Sequence, residues 1–137
     1  MERAPHTGRI TATIYLALLL TCAVVTAAHI WWTSNTAHSV VEYGTSSLYS
    51  HEEIDLAAQA IFDDFHRSMR GCQLHRISYS VPDDGERDGI MFFTGSFRAP
   101  KNRPNSGFAP DEEVDYWEWH LERASNGEWV VLGKGVS

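Results

Sequence analysis

An α+β domain behind a single N-terminal membrane-spanning segment is the fold that this sequence predicts, and three observations predict it. A long uncharged apolar run lies near the N-terminus. A capped stretch with apolar residues at spacings of three and four follows it, and the C-terminal half breaks into short alternating runs divided by turn residues. At 137 residues the chain holds one domain's worth of sequence at most. Eleven Lys and Arg against eighteen Asp and Glu give a net charge of -7. No basic cluster accompanies that balance, so the electrostatic footprint of a nucleic-acid binder is missing. Two cysteines are too few for a disulfide framework.

Ile10 to Trp32 is a run of 23 residues without Lys, Arg, Asp or Glu. As a helix it would extend roughly 35 Å, enough to cross a hydrocarbon layer of about 30 Å. Arg3 and Arg9 precede it, and no Lys or Arg follows until Arg67. The positive-inside bias therefore makes residues 1–9 a cytoplasmic tail and 10–32 a single-pass span whose partner is the lipid bilayer, with everything beyond Trp32 extracytoplasmic. Trp31 and Trp32 stand where an aromatic belt meets the outer headgroups. The rival is a signal peptide cleaved after Val25-Thr26-Ala27 or Thr26-Ala27-Ala28, which yields a secreted domain. Leu19-Leu20-Thr21-Cys22 is a poor lipoprotein pattern, because Thr is large for the position before a lipidated cysteine. Every one of these readings exports the rest of the chain.

Residues 33–49, rich in Thr, Ser, Asn and Gly, read as a linker, and residues 50–137 as the folded domain. Ser50-His51-Glu52-Glu53 is a capping box that opens a helix. Ile54, Ala58, Ile61, Phe65 and Met69 form its apolar stripe, widened by Ala57 and Phe62. Acidic residues fill the first turn, His66, Arg67 and Arg70 the last, and Gly71 stands where a C′ glycine belongs.

Four strands follow in the sequence. Gln73 to Val81 has Leu74, Ile77, Tyr79 and Val81 for burial, with broken alternation that implies a twist or bulge. Ile90 to Arg98 places Ile90, Phe92 and Thr94 on one face and Met91, Phe93 and Phe97 on the other. Ala99 to Pro110 holds three prolines and reads as a long loop. Val114 to Ala124 alternates Trp117, Trp119 and Leu121 with Tyr116, Glu118, His120 and Glu122, a core face against a wet one. Ser125-Asn126-Gly127 turns the chain, and Glu128 to Lys134 returns as its hairpin partner. The expected domain is one amphipathic helix laid on a curved antiparallel sheet of about four strands.

Glu52-Glu53-Ile54, Phe65, Gly71-Cys72-Gln73-Leu74, the stretch Tyr116-Trp117-Glu118-Trp119-His120-Leu121-Glu122-Arg123 and Gly127-Glu128-Trp129-Val130-Val131 together resemble a group of small exported or membrane-anchored proteins of Gram-positive bacteria. The resemblance covers Ser50 to Gly135. It implies a cystatin-like or nuclear-transport-factor-2-like fold, in which a helix is cradled by an antiparallel sheet, and it carries over no catalytic residue.

Candidate functional residues are sparse. Cys72 reads as a buried structural thiol. His66, His75 and His120 would have to converge to hold a metal, and their spacing matches no metal-ligand motif. No phosphate-cradling loop, dinucleotide fingerprint or nucleophile elbow is present, so no cofactor is implied. Glu118, His120 and Glu122 share one strand face, where acid and base groups two residues apart can point into a concavity. Trp117 and Trp119 are core or cross-strand pairs first and recognition anchors second.

The functional expectation is thus a membrane-anchored extracytoplasmic binding or accessory domain for a protein or peptide partner, without catalysis. The alternative is a small enzyme or ligand carrier that uses a pocket between helix and sheet, lined by Glu118 and His120, with Trp117 and Trp119 as further ligand-binding candidates. A subunit packed through Ala12, Ala17, Ala23 and Ala27 in the bilayer is a third reading.

Overall fold

The computed structural model describes residues 6–33, 35–102 and 106–136. The chain divides into two compact units, Met1–Ser34 and Asn35–Ser137. The first is a single helix, α1 (His6–Thr33). Its stretch Gly8–Ala27 is long and apolar enough to cross a membrane, as a retained anchor or as a signal sequence. The hydroxyls of Thr13, Thr21 and Thr26 donate to the carbonyls of Arg9, Ala17 and Cys22 at 2.7–2.8 Å. These bonds absorb the polar groups that an apolar surrounding would leave without partners. The side chains of Trp31 and Trp32, expected at the outer interface, lie outside the described residues.

The second unit contains β1 (Val40–Glu42), α2 (His51–Ser68), β2 (Gln73–Ser80), β3 (Ile90–Arg98), β4 (Glu113–Arg123) and β5 (Trp129–Gly135). The strands form one five-stranded sheet in sequence order. The α+β class, with an amphipathic helix on a sheet, agrees with the sequence. The sheet has five strands rather than about four, and it is mixed, because β1 runs parallel to β2 with Val41 opposite Ile77. This also corrects the linker over residues 33–49, which carries β1 and the buried Tyr49. A three-residue strand is too short to display a period, so polar neighbours masked it.

Helix α2 begins as its capping box dictates. Ser50 Oγ accepts from the Glu53 amide at 3.2 Å, and the Glu53 carboxylate accepts from the Ser50 amide at 3.4 Å. Ile54, Ala57, Ala58, Ile61 and Phe65 are buried against the sheet, the face that the periodicity marked. The cap residue is Met69, so Gly71 stands two residues beyond it and not at C′. Alternation puts Leu74, Ile77, Tyr79, Met91, Phe93, Phe97, Trp119 and Leu121 on the inner face beneath α2, all buried. Val81, expected in the core, lies past the end of β2 and is exposed. The irregularity expected in β2 is a register shift between Leu74 and Arg76.

Gly95 permits the closest packing in the sheet. A Cβ there would lie 2.3 Å from the Arg76 carbonyl oxygen and 2.9 Å from the Trp119 ring. The β4–β5 hairpin turns through Gly127 at φ +86, a left-handed conformation that glycine adopts without strain. At the far end of β5, Lys134 reaches beneath the helix, with its ammonium 2.7 Å from the Asp64 carboxylate and also donating to Ser68.

Candidate functional site on the outer face of the sheet

The residues between the inward-facing ones form the outer face, which α2 does not cover. Strand register lines them up across the sheet. Glu42, Ser78, Thr94, Glu118 and Gly135 make one row, and Ser80, Phe92, His120 and Gly133 make the next. The Phe92 and His120 rings stack with centroids 4.7 Å apart and planes 18° from parallel. That stack holds the imidazole over the sheet.

Two depressions adjoin on this face. One, of about 310 Å³, is lined by Phe92, Glu118, His120, the end of β5 from Gly133 to Gly135, and Val136 just beyond it. The other, of about 330 Å³, lies under the β2–β3 loop from Val81 to Arg87 and shares Phe92 and Glu118 with the first. Their opening has a local cause in β5. Gly133 and Gly135 face His120 and Glu118 in register, and neither brings a side chain into the space between them. A Cβ at Gly135 would meet nothing within 4 Å, and one at Gly133 would only touch the His120 Cβ at 4.0 Å.

Polar groups in this groove are poorly matched by protein partners. His120 Nε2 is buried and has no hydrogen-bond partner among the described residues. Glu122 Oε1 is 3.6 Å from it, an ion-pair distance only if the imidazole is protonated and too long for a hydrogen bond. Glu118 is half-buried. A buried nitrogen beside a partly shielded carboxylate can accept, donate or relay a proton from a bound ligand.

The loop that walls the second depression is fastened at its other end. Glu86 accepts from the Ser47 amide at 2.8 Å, the Ser47 hydroxyl at 3.1 Å, the Tyr79 hydroxyl at 2.8 Å and the Ser46 hydroxyl. Partial burial works against its charge. The donors outweigh that penalty and hold the carboxyl down at about 2. Burial, and then the bond to Glu86, push the Tyr79 hydroxyl up.

The sequence-derived candidates separate across the sheet. Glu118 and His120 line the groove, but on the side away from α2, so the expected pocket between helix and sheet is corrected. That space is filled by Phe65, Phe93, Phe97, Trp119 and Leu121, all fully buried. Trp119 therefore cannot touch a ligand held at Glu118. Trp117 is also on the inner side, packed edge-on against Phe97 and Phe108 at 5.5 and 5.8 Å. Phe108 covers it, so the proline-rich loop caps the core at this point. Residues 103–105 of that loop lie outside the described residues. The three histidines do not converge: His66 is 3.1 Å from Asn35, His75 is 3.1 Å from Glu113, and His120 stacks on Phe92. Phe92, Gly133 and Gly135 were missed as site residues. The signal was present in the two glycines, which stand at alternate positions in a strand where a backbone beside a ligand is a recognised use of glycine.

No protein-family model and no curated protein matches this sequence. Among solved structures, a "putative ketosteroid isomerase" from Shewanella frigidimarina matches over 83% of this chain and 90% of its own, at 12% identity and a TM-score of 0.33. That score supports no inference about ligand or reaction. That protein is described as a putative enzyme, and the expectation that this chain is not one is not carried forward.

Proposed function

We propose that the N-terminal helix carries this domain out of the cytoplasm, as a retained anchor or a cleaved signal, and that the domain takes a small ligand on the outer face of its sheet. In this reading it is a ligand carrier or small enzyme in which Glu118 and His120 are the acid–base groups. The observation that carries the reading is the pair of adjoining depressions sharing Phe92 and Glu118, with the buried, unpaired His120 Nε2 at their edge. Polar groups that converge on a concavity with an aromatic floor, here Glu118 and His120 over Phe92, are one form that a small-molecule site takes. Arg3 and Arg9 before the apolar run from Ile10, with no further Lys or Arg until Arg67, support an N-terminus inside and the domain outside.

The test uses the full chain in detergent micelles, screened with a library of small fragments by amide chemical-shift perturbation. Hits are expected to move Phe92, Glu118, His120, Gly133 and Gly135 together. Fragments that bind elsewhere, or affinities unmoved by Glu118→Ala and His120→Ala, overturn the assignment of the site. For location, protease added to intact cells should remove the C-terminal domain. Its complete protection would refute export.

A further inference from the structure

The charges around the groove are unbalanced in one direction. Asp83, Asp84 and Glu118 line it, and Arg87 and Lys134 are the cationic residues on its walls. Neither cation is available to a carboxylate in the groove. Arg87 is bonded to Asp84 at 2.8 Å, and Lys134 sends its ammonium through to the inner side, to Asp64. Glu118 is then a half-buried carboxylate with no ion pair or hydrogen bond among the described residues. A partly desolvated charge in that condition is costly unless a counter-charge arrives.

The surroundings also fix the shape of that counter-charge's carrier. Phe92 forms an aromatic floor shared by both depressions, which a cation can approach favourably. Val81 and Pro82 at one end and Val136 at the other give apolar surface to a ligand's body. Depressions of about 310 and 330 Å³ suit a molecule of roughly ten to twenty heavy atoms. The net charge of -7 favours the approach of cations over anions.

We infer that the groove binds small organic cations, an ammonium group on an aromatic or aliphatic body, with the nitrogen against Glu118 and the body along Phe92. This rests on the reading of the outer face as a ligand site and adds the class of ligand to it. Gly133 and Gly135 are the residues that keep the space open for that body.

The experiment compares three probes of one shape with the full chain in detergent micelles at neutral pH: phenethylammonium, 2-phenylethanol and phenylacetate. Affinity is read from amide shifts of Phe92, Glu118 and Gly135. The cation should bind at least about tenfold more tightly than the neutral probe, the worth of one charge-assisted contact, and the anion most weakly. Glu118→Gln should erase the preference for the cation, bringing its affinity down to that of the neutral probe. Gly135→Leu, with the rest of the amide spectrum preserved, should abolish binding of both. Equal binding of cation and neutral probe, or a preference that survives Glu118→Gln, overturns the cation assignment while leaving the ligand site standing. If none of the three probes moves the groove residues, both fall.

Discussion

Replacing Glu86 with Gln should weaken the domain by an amount that depends on pH in a defined way. Its carboxylate accepts four hydrogen bonds, from both serines of the Ser46-Ser47 turn and from Tyr79. A glutamine offers one carbonyl oxygen and turns a donor toward donors. The carboxyl lies at about 2 in the folded protein against an ordinary 4.5. A depressed folded value means that the stabilisation is fully present above the ordinary value and is lost as pH falls from 4.5 towards 2. Without solvent screening that difference corresponds to about 3 kcal/mol. Because the group is partly open to water, about 1 to 2 kcal/mol is the reasoned figure. For a unit of about 100 residues this lowers Tm by roughly 5 to 15 °C at pH 7. The assay is thermal unfolding followed by near-ultraviolet circular dichroism, for both proteins, from pH 7 down to 2. The gap should be constant down to about pH 5 and close toward pH 2. A gap that stays open at the lowest pH, or no gap at pH 7, would refute the role given to the Glu86 carboxylate.

Two further substitutions probe the scaffold. Gly95→Ala would push a methyl to 2.3 Å from the Arg76 carbonyl oxygen, and it should cost about 3 kcal/mol through overpacking; urea unfolding followed by tryptophan fluorescence measures it, and a loss below about 1 kcal/mol would contradict the packing described. Ser50→Ala removes the Oγ that accepts from the Glu53 amide; a loss of about 1 kcal/mol is expected by the same method, and Ser50→Asp should restore most of it.

Much of the fold could be read locally. The capping box placed the start of α2, and the spacing of Ile54, Ala58, Ile61 and Phe65 chose its buried face. Alternation put Trp117, Trp119 and Leu121 opposite Glu118 and His120, and the same alternation already forbade Trp119 and Glu118 from lining one pocket. The sequence reading joined them because tryptophan and carboxylate are each common in binding sites. Only the approach of Trp119 and the Arg76 carbonyl shows why position 95 has no side chain. The proposed site was half legible: Glu118 and His120 were picked out from one strand, while Phe92 and the glycines belong to its two neighbours and needed the register.

The apolar run, the helix with its caps and the strand periods were determined by the sequence alone, because each arises from residues within a few positions of one another. The parallel pairing of β1 with β2, the fastening of the β2–β3 loop through Glu86 to Ser46 and Ser47, and the gap left by Gly133 and Gly135 beside His120 and Glu118 were decided only by the tertiary structure. These features join segments far apart along the chain. Their energies depend on which strands become neighbours and in what register, and no local spacing encodes that choice.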